Sequence, residues 1–236
     1  MKNKIRVILE KFSSFWWGEK GPSGLLVLLV AAFLLAPLLK TGPGKLLSTL
    51  FFSLLLLSGV TTMWDRKLPR IGAATVAAAA FVFTWLNHFN PESRSLRTGN
   101  ELLTFCYLAL LTVVVMQHVF KDGTVTASRV QGAVAAYVLI GITWAAIYRA
   151  LDFYLPGSLM VSSSAVGMPA FERQPDYTYF SFVTLTTLGY GDIIPIHPVT
   201  RIFVIFEALI GQLFPATLLA RLVSLQTIQR KRDNDR

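Results

Sequence analysis

Charge is the first thing this chain lacks. Only 15% of its 236 residues are charged and 53% are hydrophobic, against roughly 25% charged in a soluble domain. The apolar residues gather into runs instead of recurring at helical or strand period, which excludes an ordinary soluble fold and implies a membrane protein. Cysteine is nearly absent. The lone Cys106 lies in an apolar run, cannot form an intrachain disulfide, and is expected to be a small packing residue. Histidine is scarce too: His88, His118 and His197 show no metal-ligand spacing. No nucleophile, base or metal cluster recurs on a common face, so an enzyme is not expected. The net charge of +9 raises the question of nucleic acid. The basic residues form no stripe with interleaved aromatics, however, and lie between and beyond the apolar runs, where membrane topology explains them. Neither a nucleic-acid partner nor an organic cofactor is implied.

What is present is hydrophobic length. Six runs approach the roughly 20 apolar residues that a helix needs to cross a bilayer: Gly24–Leu39, Leu46–Trp64, Ile71–Asn87, Leu102–Phe120, Val130–Tyr148 and Ile202–Ala220. Each is expected to be helical, since lipid offers the backbone no hydrogen-bond partner. The expectation is therefore an all-α membrane protein of six transmembrane helices in the cell (inner or plasma) membrane. Basic residues concentrate on one side: Lys2, Lys4, Arg6, Lys11 and Lys20 before the first run, Arg66, Lys67 and Arg70 after the second, Lys121 and Arg129 after the fourth, and Arg230, Lys231, Arg232 and Arg236 in the tail. This places both termini in the cytoplasm. Residues 1–20 carry Ile5, Ile8, Leu9, Phe12 and Trp16 at helical spacing with lysines opposite, which suits a helix lying on the membrane surface; a frayed basic leader is the other reading. Expected divisions are this segment at 1–20, a four-helix region at 21–125, a pore domain at 126–225 and a short basic cytoplasmic tail at 226–236.

The connection between the last two runs differs from the others. Gly157 to Pro175 has the composition of a loop on the outer side of the membrane. Asp176 then resembles an N-cap for a short helix, YTYFSFVTLT, followed at once by TLGYGDIIP. A helix too short to span, then a loop, suggests a re-entrant element, which survives at membrane depth only when it lines a protein cavity. In the loop, Gly189 and Gly191 tolerate the dihedrals that aim successive carbonyls the same way. Carbonyls of Thr187, Leu188, Gly189 and Tyr190, with the Thr187 hydroxyl, can then replace the water shell of a cation. One loop supplies too few oxygens; four copies around an axis supply rings of four.

Residues Thr186-Thr187-Leu188-Gly189-Tyr190-Gly191-Asp192 resemble the signature sequence of potassium channels, in its usual place between an outer helix, a pore helix and an inner helix. The resemblance covers about Val130 to Leu222. It implies a homotetramer with K+ coordinated at Thr187, Leu188, Gly189, Tyr190 and Gly191, and filter support from Thr186, Asp192, Tyr179 and Glu207. Leu188 stands where valine is usual, which leaves carbonyl coordination intact and puts filter packing in question. By the same resemblance Tyr179 pairs with Asp192, an aromatic collar of Tyr177, Tyr179, Phe180 and Phe182 surrounds the filter, and Val183 replaces a glutamate that some such channels keep behind it.

Gly211, twenty residues after Gly191, matches the hinge glycine of the family, and Pro215 one turn later removes a helix hydrogen bond. A gating hinge and a merely close-packed, statically bent helix are both open readings. Glu207, the one carboxylate deep in the last run, is by default a functional candidate; it is expected either to be protonated there and hydrogen-bond a backbone group or Thr186 as a pH-coupled support, or to be a fixed strut. The fourth run contains no Arg or Lys, whereas steep voltage gating draws on about 2.3 kcal/mol per elementary charge per 100 mV. Steep voltage gating is therefore not expected. Only 16 residues follow the last run, too few for a soluble ligand-binding domain: either soluble ligands do not gate the protein, or the chain is a piece of a longer one. The function implied is passive, potassium-selective conduction. The alternatives are a membrane subunit of a potassium transporter, disfavoured by the single pore loop, and a non-conducting membrane sensor.

Overall fold

A computed structural model describes residues 21–39, 49–50, 52–56, 58, 67–90, 93–120, 126–161 and 176–234. Residues 1–20, read as a surface helix or leader, and most of the run Leu46–Trp64 lie outside them. The elements are α1 (Gly21–Leu39), α2 (Lys67–Phe89), α3 (Arg94–Val119), α4 (Ala127–Tyr154), β1 (Leu159–Val161), α5 (Tyr177–Leu185), β2 (Ile193–Pro195) and α6 (Pro198–Asn234). Four stretches are long and apolar enough to cross a membrane among the described residues: Gly72–Phe89, Thr98–Val119, Ala127–Tyr154 and Pro198–Thr227. In α1 the apolar part, Ser23–Ala32, is shorter than that.

The chain divides into two compact units, Met1–Leu139 and Ile140–Arg236. In the first, α2 and α3 are joined by a short connection, so they pack as neighbours. Ala73, Ala77 and Ala80 line a buried stripe on α2, and small side chains let a partner backbone approach closely. The Phe83 ring lies against Gly99, where a Cβ would come within 2.5 Å of it. Thr84 Oγ1 donates to Asn100 Oδ1 at 2.8 Å. Ser93 caps α3 by accepting from the Leu96 N–H, as its residue type favours. Tyr107, fully buried on α3, donates to the Leu56 carbonyl at 2.7 Å, satisfying its hydroxyl in an apolar interior. Cys106 is exposed on α3, not packed as expected: Tyr107, Leu108 and Leu111 define the buried face, and position 106 falls off it.

The second unit holds the GYG stretch. Its core is Tyr148, Leu159, Phe180 and Ile193, with Trp144, Leu151, Phe203 and Val204 packed against it. Tyr148 and Phe180 meet edge to face with centroids 4.9 Å apart, a geometry worth about 0.5–1.5 kcal/mol beyond the area it buries. The connection read as loop from Gly157 contains a strand instead. β1 pairs antiparallel with β2, with Leu159 opposite Pro195 and Val161 opposite Ile193, because Leu159 and Ile193 each bury an apolar side chain in that core. The Ile196 N–H donates to the Ser158 carbonyl at 2.9 Å and extends the ribbon. The strand after the GYG stretch is thereby fixed to the chain leaving α4.

Helix α6 begins at Pro198, where a missing N–H is harmless, and the Val199 N–H donates to His197 Nδ1 at 3.2 Å. It runs 37 residues to Asn234, well beyond the apolar run Ile202–Ala220, and stays helical through the basic segment.

Candidate functional site

Helix α5 is nine residues long and opens as its sequence suggests, with Asp176 as N-cap accepting from the Tyr179 N–H at 3.2 Å. Beyond Leu185 the chain folds back onto the helix end. Thr186 N–H donates to Phe182 O at 3.0 Å, and Thr187 N–H to Thr184 O at 2.9 Å. Val183 O accepts two donors, Leu188 N–H at 2.9 Å and Gly189 N–H at 3.3 Å. Backbone N–H groups of the following loop are thus tied to carbonyls at the end of α5, leaving the loop's own carbonyls to face elsewhere.

The dihedrals agree with that. Positive φ occurs at every second residue: Thr187 at 56°, Gly189 at 58° and Gly191 at 75°. Leu188 and Tyr190 between them keep ordinary negative φ. A backbone whose φ alternates in sign can bring successive N–H groups to one side and their carbonyls to the other. A Cβ at Gly189 or Gly191 would meet nothing within 4 Å, so glycine is required there by the dihedral and not by space. Thr187 is the exception, since a β-branched residue at positive φ is an outlier and costs of order 1–3 kcal/mol. The hydrogen bond its N–H donates to Thr184 O and the one its Oγ1 accepts from Gln212 Nε2 at 3.1 Å hold it there. The Leu188 and Tyr190 side chains are 55% and 66% exposed in the single chain.

Residues after the loop are anchored outward. Asp192 Oδ1 accepts from the Ile193 N–H at 3.1 Å. By accepting a hydrogen bond from Tyr179, the Asp192 carboxylate pushes that phenol up to about 12. Three of the four aromatics of the expected collar face the outer helix α4. Tyr177 donates to Asp152 Oδ2 at 2.8 Å, Phe180 stacks on Tyr148, and the Phe182 ring covers Gly141, where a Cβ would lie 2.7 Å from it.

Glu207 is fully buried, but its partners are not those expected. Thr186 Oγ1 turns back to its own helix, donating to Phe182 O at 2.6 Å. Tyr148 donates to Glu207 Oε2 at 2.5 Å, and Ser181 Oγ lies 2.5 Å from Oε1. Gly211 packs directly on the end of α5: a Cβ there would lie 1.8 Å from Leu185 O. Pro215 sits inside α6 and has no N–H to give Gly211 O, the acceptor four residues before it. The structure therefore brings Thr186, Thr187, Leu188, Gly189, Tyr190, Gly191, Asp192, Tyr179 and Gly211 together around one loop. Glu207 stands behind α5, and Pro215 lies farther along α6. Tyr148, Ser181 and Gln212 were not singled out from sequence. A lone serine inside an aromatic helix, and an amide beside Gly211, were the available signals.

Residues 137–227 match a family model described as "Ion channel". Over 89 residues the chain is 39% identical to a protein described as "Two pore potassium channel c" from Oryza sativa subsp. japonica, which covers 38% of this chain and 17% of that protein. The chain thus matches only about a sixth of the length of that relative. Matched and unmatched residues divide close to the boundary between the two compact units.

Proposed function

We propose that this chain, whose residues 137–227 match an ion-channel family model and which is similar over 89 residues to a protein described as a potassium channel, is a subunit of a potassium-selective channel conducting K+ passively through the loop Thr187–Gly191. The observation that carries this is the positive φ at alternate positions 187, 189 and 191, an alternation that lets successive carbonyls converge on one side. A dehydrated cation needs such rings of oxygens, and one chain provides a single oxygen per ring. We take the subunit to assemble as a homotetramer, with α4 as outer helix, α5 as pore helix and α6 as inner helix. The outward apolar residues of α6, Ile202, Ile205, Phe206, Leu209 and Leu213, support burial against neighbouring copies and lipid. Gln212 then faces the inner mouth, where it holds the Thr187 hydroxyl.

Six membrane crossings, with both termini on the cytoplasmic side, remain the topology that the loop charges favour. The stretch Thr98–Val119 contains no Lys or Arg, which supports a channel without steep voltage gating. A transporter subunit and a non-conducting sensor are the readings to be tested against this one. Potassium efflux from vesicles reconstituted with the full chain, with sodium as control, makes the distinction: K+ passes and Na+ does not. Passage of both ions, or of neither from a folded oligomer, contradicts the proposal.

A further inference from the structure

Glu207 makes two side-chain contacts, and the hydroxyl of Ser181 takes part in a third. Tyr148 Oη lies 2.5 Å from Glu207 Oε2, Ser181 Oγ lies 2.5 Å from Glu207 Oε1, and Ser181 Oγ lies 2.7 Å from Gly141 O. Each contact needs one hydrogen. Gly141 O is a backbone carbonyl and can only accept, so the Ser181 proton must point to it. Ser181 then has no hydrogen left for Glu207 Oε1. The Tyr148 proton is taken by Oε2. Two hydroxyls supply two hydrogens for three contacts, and an ionised carboxylate would set two oxygen lone pairs against each other at 2.5 Å. The remaining hydrogen has one source, the carboxyl group itself.

We propose that Glu207 is held as a neutral carboxylic acid that donates from Oε1 to Ser181 Oγ, and so acts as the positioning residue joining α5 to both α4 and α6. The chain of donors runs from Glu207 to Ser181 to Gly141 O, while Tyr148 donates to Glu207 from the other side. Every polar atom is satisfied, as a fully buried group requires. The partners on the packed elements, Tyr148 and Gly141 on α4 and Ser181 on α5, are all neutral; no Lys, Arg or His is hydrogen-bonded to Glu207 among the described residues. A buried carboxylate without a paired cation would be costly, which favours the same assignment. Ser181 lies two residues before Val183, whose carbonyl holds the Leu188 and Gly189 amides. Glu207 thereby fixes the height of α5 behind the loop. This last consequence rests on the channel reading; the assignment of the proton does not.

Infrared difference spectroscopy of the full chain in lipid, wild type minus Glu207→Gln, tests the proposal directly. The expected result is a carboxylic-acid C=O band present in wild type across pH 5 to pH 8 and lost in the variant. Because glutamine also accepts from Tyr148 and donates to Ser181, E207Q is expected to melt within about 2 °C of wild type, whereas Glu207→Ala falls by several degrees. Ser181→Ala keeps the acid but removes its acceptor, so the band moves to the frequency of a weaker hydrogen bond. A carboxylate band in place of the acid band, or an E207Q that melts as low as E207A, overturns the assignment. Neither readout depends on ion flux. A chain that shows the acid band and passes no K+ therefore refutes the channel reading and leaves this one standing.

Discussion

Replacing Gly211 by alanine asks the most of the packing between α5 and α6. The added Cβ would stand 1.8 Å from Leu185 O and 2.7 Å from Leu185 C. Both are backbone atoms at a helix end, so no rotamer change relieves the contact. Cβ atoms essentially never approach below 3.0 Å, so the two helices must separate locally by at least about 1.2 Å, the shortfall between those distances. Overpacking of this kind costs about 1–3 kcal/mol, or a fall in melting temperature of the order of 5 °C per subunit. Separation also withdraws Gln212, the next residue, from Thr187 Oγ1. Gly211→Ala is therefore expected to lower both thermal stability and K+ flux, whatever the residue does in bending. The assay is a thermal melt in detergent beside vesicle flux, and Gly211→Ser should behave alike or worse. Wild-type melting and flux in G211A would refute the close contact. Bending is addressed separately by Pro215→Ala, which restores an N–H for Gly211 O without touching Leu185. A hinge at this turn means that P215A melts higher, because proline in a helix interior costs about 3 kcal/mol, and opens less often in single-channel recording; unchanged open probability would leave Pro215 a static feature.

Other perturbations separate backbone shape from side-chain support. Gly189→Ala and Gly191→Ala meet no atom within 4 Å but must hold φ at +58° and +75°, at about 1–2 kcal/mol each; the expected outcome is a folded oligomer with reduced K+ over Na+ discrimination in a flux assay. Gln212→Leu removes the donor to Thr187 Oγ1, a bond worth about 0.5–1.5 kcal/mol, and should alter K+ flux with little change in melting temperature. Asp152→Ala removes the acceptor of both Tyr177 and Ser158 at a cost of about 1–3 kcal/mol, and Asp152→Asn should recover part of the loss in a thermal melt. For Tyr179 the phenol is raised from its ordinary value near 10 to about 12 by its hydrogen bond to Asp192. The protonated form is the one that donates, so the contribution of this contact is complete below about pH 10 and disappears as pH rises through about 12. Tyr179→Phe should abolish that alkaline step in a melt-against-pH series.

Much of the site was legible because it is local. Asp176, the short aromatic helix and the TTLGYGD stretch occupy adjacent positions, and each signals through its own residue types. The left-handed glycines followed from the same stretch, but Thr187 did not, since a β-branched residue argues against positive φ and only the tie to Gln212 and Thr184 O accounts for it. The strands LMV and IIP are too short to carry a period, and their register depends on burying Leu159 and Ile193 beside Tyr148 and Phe180. Glu207 was legible as a buried acid needing a partner. Which partner could not be read, because Tyr148 and Ser181 reach it from two other helices. Hydropathy located α6 at Ile202–Ala220 but not its end at Asn234, as apolar length reports the bilayer and not the helix.

The central claim is that backbone carbonyls of Thr187, Leu188, Gly189 and Tyr190 from four copies bind K+ in line. Anomalous diffraction from crystals of the full chain grown with thallium in place of potassium tests it most directly. A row of peaks is expected on a fourfold axis, each between successive planes of those carbonyls, and it is expected to vanish when sodium replaces thallium. A fourfold oligomer with no peak beside residues 187–190, or an assembly without a shared axis at that loop, would contradict it.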